Sequence, residues 1–138
     1  IANPFGALEE PRFCNYLVQT WMKRETPTVR TPAYVRDNIH ADLLAMSYVD
    51  FAAKVAAQTG IIRHNPSYFV ESQGAFAARF AAELRPRLGL PCPIELAQQS
   101  DFNEPIVRIN TDRVDGAVYG WSEAAAWDAL ADYYQQRN

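Results

Sequence analysis

The chain has 138 residues, 49% of them hydrophobic and 21% charged, and a formal net charge of −3. This balance fits one globular domain with its own core and excludes an intrinsically disordered polypeptide. The acidic surplus argues against nucleic acid as a partner, no apolar run is long enough to cross a membrane, and two cysteines are too few for a disulfide scaffold.

Ile1-Ala2-Asn3-Pro4-Phe5-Gly6 has the pattern of a strand end running into a Pro/Gly turn. An apolar start without Met predicts a fragment of a longer product. A first helix is predicted from about Pro11 to Arg24. Pro11 suits a first turn, and Cys14, Leu17, Val18 and Trp21 repeat at helical spacing. Thr28-Val29-Arg30 is a short strand, after which Pro32 allows only an irregular or edge path toward Arg36. A second helix is predicted over about Asp42 to Gln58, with Asp42 as N-cap, Leu44, Tyr48, Phe51 and Val55 facing inward, and Gly60 as its stop.

Ile61 to Asn65 follows as a strand stopped by Pro66. The third helix begins near Ser72, its N-cap, carries Phe76, Phe80 and Leu84 on one face, and must end or kink at Pro86. Ile94 to Ala97 and Val107 to Ile109 are further short strands. Ser122 caps a fourth helix that buries Trp127, Leu130, Ala131 and Tyr134. Helices alternating with short strands predict a single α/β domain over residues 1–138. Trp21, Trp121 and Trp127 belong to its core, Cys14 and Cys92 are buried thiols, and Glu9-Glu10 and Asp112-Arg113 are solvated charges. No signal-peptide pattern is visible, so the expected location is cytoplasmic.

Chemistry concentrates in Val35-Arg36-Asp37-Asn38-Ile39-His40-Ala41-Asp42-Leu43-Leu44. A guanidinium is always charged and offers a planar fork of donors, so Arg36 suits a diphosphate. Arg36 equally suits an ion pair with Asp37 or Asp42. Asp37, Asn38 and Asp42 read as caps and loop-organising groups, and His40 as a packed or hydrogen-bonded histidine. A metal site needs at least three well-spaced ligands, and His64 is the only other imidazole.

This segment resembles the R-D-x-I-H-x-x-D-L stretch in the C-terminal, substrate-binding half of the NAD-dependent epimerases and dehydratases, members of the extended short-chain dehydrogenase/reductase superfamily. The resemblance covers nearly the whole chain. Ile1 to Gly6 is similar to the R-x-x-N-x-Y/F-G-P strand end of that family, with Ala7 for the usual Pro. Ile61 to Pro66 sits where the family has its N-v-G-s-G turn, here without a glycine pair. Phe69 to Ser72 and the helix after it resemble the family's Ser-led helix, and Glu104-Pro105 to Trp121 its E-P … D … L-G-W region.

The resemblance implies an extended Rossmann-type enzyme and a nucleotide-diphosphate sugar as ligand. Its motif positions give Asn3 and Arg36 as diphosphate contacts, and Tyr34 and Arg30, with Val29, as ribose or base contacts. Asn3 is equally a turn former beside Pro4, and Tyr34 a packing residue. The family commonly carries a second arginine before the E-P pair. Here the stretch is Gln99-Ser100-Asp101-Phe102-Asn103, and Arg108 is the nearest downstream cation, in a strand that can aim it elsewhere.

The catalytic half of such an enzyme needs a Gly-rich turn for NAD or NADP and a Tyr-x-x-x-Lys acid/base pair. None of the six glycines is arranged that way, and the residue four after each of the seven tyrosines is never lysine. The expectation is therefore a portion that binds a nucleotide sugar, holds no cofactor alone and catalyses nothing by itself. Its partner would be the missing N-terminal half or another protomer, with a homodimer as one form. An exposed apolar patch should mark that contact. A non-catalytic module binding a nucleotide diphosphate or a protein is the alternative. A small hydrolase is weaker, since no motif signals a nucleophile and base.

Overall fold

Four polar residues, Arg36, Asp37, Asn38 and His40, are buried in the longest strand of the protein. The computed structural model describes residues 2–9 and 11–137. The expectations placed on Ile1 and Glu10 lie outside them. In chain order the elements are β1 (Asn3–Phe5), α1 (Phe13–Met22), β2 (Thr28–Val29), β3 (Val35–His40), α2 (Ala41–Val55), β4 (Pro66–Ser67) and β5 (Phe69–Ser72). They continue with α3 (Gln73–Leu88), β6 (Glu95–Leu96), β7 (Val107–Arg108), β8 (Asp112–Arg113), a 3-10 turn (Gly116–Tyr119) and α4 (Glu123–Gln135). Helices and short strands alternate as the composition pattern implies, and the fold is α/β.

β3 is the axis of the main sheet. β5 runs antiparallel along one edge, pairing Val35–Asn38 with Ser72–Phe69. The other edge is shared by two strands parallel to β3, with β7 beside Val35 and Arg36 and β1 beside Asn38 to His40. Two small parallel pairs, β2 with β6 and β4 with β8, complete the pairing.

The main core joins α1, α3 and α4 to the β1 end of this sheet. Phe80 lies at its centre, with ring centroids 6.1 Å from Phe5, Trp21 and Phe76 and 5.6 Å from Trp127. A smaller cluster of Ile39, Leu43, Leu44 and Val114 seats α2 against the other side. Trp21 and Trp127 are buried, whereas Trp121 is half-buried at the margin of the second cluster. Cys14 and Cys92 are buried free thiols.

Several elements differ from expectation. The path before Arg36 is irregular through Tyr34, as Pro32 implies, and at Val35 it enters the central strand and not an edge. α1 ends two residues early, where Arg24 adopts a left-handed φ of 63°. Its start at Phe13 has no capping side chain from Arg12; instead Glu9 accepts the Asn15 N–H at 2.6 Å. Glu9 is thus a half-buried cap and no solvated charge.

The N-cap of α2 is His40, whose Nδ1 accepts the Asp42 N–H at 3.3 Å, and Asp42 sits in the first turn. α2 ends at Val55, short of Gly60, and buries Leu43, Leu44 and Ser47 while Tyr48, Phe51 and Val55 are only half-buried. Ile61 to Asn65 has no strand to pair with and forms a loop; Pro66 opens β4 in place of ending a strand. α3 continues past Pro86 to Leu88, because a proline in the last turn removes little of the hydrogen-bond ladder, and Gly89 closes it at φ 65°. The Ser72 and Ser122 caps form as read, on the N–H groups of Ala75 and Ala125.

Two measurements check this packing. Phe80→Ala removes the ring at the centre of the aromatic cluster and should lower unfolding free energy in urea by about 3–5 kcal/mol; a loss under about 1 kcal/mol would contradict the assignment. Burial holds the His40 imidazole below its ordinary value of 6.5, with Asp42 partly opposing. A depressed imidazole contributes stability that is present above about pH 6.5 and lost as pH falls toward the folded value. Protonation also removes the lone pair that caps α2. His40→Asn keeps a capping acceptor without titrating. Just below about pH 6.5 its stability should fall less steeply than that of the unaltered protein; identical slopes in the two profiles would contradict this role.

Candidate functional site

Strand alternation places Arg36, Asn38 and His40 on one face of β3 and Asp37 and Ile39 on the other. Register then builds two cross-strand pairs. Arg36 lies opposite Arg108 of β7, and Asn38 opposite Asn3 of β1. These four residues, with Tyr34 and Glu104, line a cavity of about 310 Å³.

Arg36 is 4% exposed and held on all sides. Its Nη1 donates to the carbonyl oxygens of Val35 at 2.8 Å, Pro105 at 3.1 Å and Ile106 at 3.2 Å. Its Nη2 meets Glu104 Oε2 at 3.1 Å, and its guanidinium carbon stands 4.4 Å from the centre of the Tyr34 ring. The Tyr34 hydroxyl accepts the Glu104 N–H at 3.1 Å. Facing like charges in register would repel. Glu104 relieves this, because the same Oε2 lies 3.5 Å from Arg108 Nη1.

The structural pairing weighed for Arg36 is therefore present, with Glu104 as the partner in place of Asp37 or Asp42. Asp37 faces away and accepts the N–H groups of Tyr68 at 2.9 Å and Asn110 at 3.2 Å, tying two loops to the back of the sheet. Asp42 lies near His40 Nδ1 at 3.7 Å.

The cavity wall carries three guanidiniums, Arg12, Arg36 and Arg108, against two carboxylates, Glu9 and Glu104. Burial pushes the Glu9 carboxyl up, with the N–H groups of Asn15 and Gly6 and the Arg12 charge pulling the other way.

Of the residues singled out from sequence, Asn3, Tyr34 and Arg36 are brought together here. Arg30 is not. It is exposed and lines a neighbouring hollow with Tyr16 and Thr28. Asn38 and Arg108 line the cavity without having been assigned to it from sequence. From sequence Asn38 reads as a loop-organising group, and Arg108 as the nearest downstream cation in a strand that can aim it either way. The signal for Asn38 was its spacing of two from Arg36, which has meaning only once the segment is a strand. The signal for Arg108 was not available without the β3–β7 register.

A second constellation also escaped sequence reasoning. Ser47 Oγ lies 2.5 Å from His64 Nε2, and His64 Nδ1 lies 3.6 Å from Asp112 Oδ2. The order serine, histidine, aspartate is that of a hydrolase triad. Ser47, however, is 1% exposed, inside α2, so its oxygen cannot meet a substrate. Phe51 stacks on the imidazole at 4.9 Å, and Asp112 also accepts the Asn65 N–H at 2.7 Å. The group clasps the loop before β4 onto α2. Asp112 is thus a loop organiser and not a merely solvated charge.

A dinucleotide cradle needs a glycine turn left open at a helix N-terminus. The glycine in the first turn of a long helix is Gly74 of α3, where a Cβ would meet Pro32 at 3.1 Å. The Gly74 N–H donates to the Pro32 carbonyl and the Gln73 N–H to that of Tyr34. That turn is filled by protein and does not fit a pyrophosphate. Among the described residues, no cluster of three or more His, Cys, Asp or Glu is placed to hold a metal ion, and no helix is long and apolar enough to cross a membrane.

No protein-family profile matches the sequence, and no curated protein matches it either. Among solved structures, the fold is similar to that of UDP-N-acetylglucosamine 4-epimerase from Methanobrevibacter ruminantium M1, in complex with UDP-N-acetylmuramic acid. The TM-score is 0.68 at 9% sequence identity, over 99% of this chain and 45% of that one. This chain thus spans less than half the length of that enzyme, and at such identity the likeness is one of fold. The α/β arrangement of four helices and short strands is the fold of part of a Rossmann-like epimerase.

Proposed function

We propose that the cavity over β3 binds a nucleotide-diphosphate sugar, and that this chain is the substrate-binding portion of an NAD- or NADP-dependent epimerase, dehydratase or reductase. The observation that carries the reading is the convergence of Asn3, Tyr34, Arg36 and Arg108 on one hollow. A volume of about 310 Å³ is in the range of small-molecule sites. In this reading the Asn3 amide and the Arg108 guanidinium meet phosphoryl oxygens directly. Arg36 adds charge from beneath, since most of its donors are engaged. The fold likeness to an enzyme solved with a UDP-linked ligand supports the same class of ligand.

The chain by itself performs no hydride transfer in this account. NAD or NADP, bound in a dinucleotide-binding half, would accept and return the hydride, while the residues here hold and orient the diphosphate. A strip of exposed apolar side chains supports a missing partner. Val49 of α2 and Val118 of the 3-10 turn are 71% and 74% exposed, with Met46 and Ala45 alongside. We assign this strip to contact with the dinucleotide-binding half or with another protomer. The second reading, a non-catalytic module that binds a nucleotide diphosphate or a protein, would be favoured by a polar surface in place of this strip.

Calorimetric titration and thermal shift with UDP-N-acetylglucosamine, UDP and free N-acetylglucosamine test the ligand class. The two diphosphates should bind, and a concentration of 100 times Kd should add about 2.7 kcal/mol of stability. Asn3→Ala should weaken binding about tenfold, near 1.4 kcal/mol. Absence of heat and of any shift with every nucleotide sugar and nucleoside diphosphate would overturn the proposal.

A further inference from the structure

Asn38 is 6% exposed, lines the cavity, and has a side-chain Nδ2 that is shielded from solvent and makes no hydrogen bond within the described protein. Its polar neighbours on β3 are all engaged: Arg36 with carbonyls and Glu104, Asp37 with two backbone N–H groups, His40 with the start of α2. An amide buried without a partner destabilises the fold it sits in, so its presence in the central strand asks for a reason outside the folded chain.

We propose that Asn38 is a ligand-binding residue of this cavity, and that its amide donates to a phosphoryl oxygen of the bound diphosphate. The inference rests on the nucleotide-sugar reading and adds to it a residue not assigned from sequence. Three observations give the acceptor its chemistry. Asn38 stands in register with Asn3 on the adjacent parallel strand. Such strands lie about 4.8 Å apart, close enough for two amides to serve two oxygens of one phosphoryl group. Arg36 and Arg108 flank that point on the same floor and supply charge, although Glu104 already occupies donors of both. A phosphoryl oxygen is an acceptor only, which suits paired amide donors between guanidiniums; a sugar hydroxyl would bring a donor of its own. The terminal torsion of asparagine is soft, so in this proposal rotation about it presents Nδ2 to the ligand.

Two experiments decide the matter. In the 15N-labelled protein, with side-chain amides assigned, the Asn38 NH2 signals should shift on titration with UDP and with UDP-N-acetylglucosamine, and stay in place with N-acetylglucosamine alone. Asn38→Leu keeps the heavy-atom count and branching of the side chain and removes the unpaired group. It should unfold at the same or a higher temperature than the unaltered protein while Kd for UDP-N-acetylglucosamine rises at least tenfold. Wild-type Kd in Asn38→Leu, or Asn38 signals unmoved at saturating UDP, would overturn the inference and leave the nucleotide-sugar reading standing. A shift caused by free N-acetylglucosamine would move the amide to the sugar and overturn the phosphoryl assignment. If the unaltered protein binds neither UDP nor UDP-N-acetylglucosamine, both readings fall together. Should Asn38→Leu not fold, the resonance titration on the unaltered protein decides alone.

Discussion

The structure depends on desolvating one polar strand. β3 carries a guanidinium, a carboxylate, an amide and an imidazole into the interior, where each unpaired group would be costly. Three of the four are matched, two by groups distant in sequence and His40 by the Asp42 N–H two residues on. Arg36 draws in residues 104–106, Asp37 draws in Tyr68 and Asn110, and His40 fixes the start of α2. Each match pins a segment that has little regular structure of its own. The long stretch from residue 97 to 115 contains only four residues in strands, and the two sides of β3 tell it where to lie.

The same arrangement explains why a cavity exists at that place. β3 shares one edge between β7 and β1, and the side chains that flank the junction are pairs of arginines and asparagines. None of these fills space as an aliphatic residue would. Glu104 bridges the arginines from the solvent side and is more than half exposed, so it is the most easily displaced member of the group. A ligand phosphate arriving at the floor meets the same two cations that Glu104 now serves. Electrostatics at the site are therefore a competition between a tethered carboxylate and a diffusing anion. The Arg108–Glu104 pair, 63% and 53% exposed, is the weakly held one.

Helix content was legible from the chain because apolar spacing and serine caps are local signals. The faces of α1, α3 and α4 emerged from residues such as Leu17, Phe80 and Trp127 without any knowledge of tertiary contacts. β3 was not legible as a strand. Its alternation is polar on both faces, so it lacks the apolar period that marks a half-buried strand, and only tertiary partners stabilise it. The opposite error occurred at Ile61 to Asn65, where β-branched residues suggested a strand that no edge was free to pair. The candidate site followed the same division. Asn3, Tyr34 and Arg36 came from motif order and did converge, whereas Arg108 and Asn38 required register, and the exposure of Arg30 required the path of the chain after β2.

The central claim is that the floor of β3 receives a diphosphate. A crystal structure of the protein with UDP-N-acetylglucosamine tests it most directly. The account predicts the diphosphate over the junction of β1, β3 and β7, its oxygens between the Asn3–Asn38 pair and the Arg36–Arg108 pair. A ligand bound instead in the hollow beside Arg30, or around the Ser47–His64–Asp112 clasp, would contradict it.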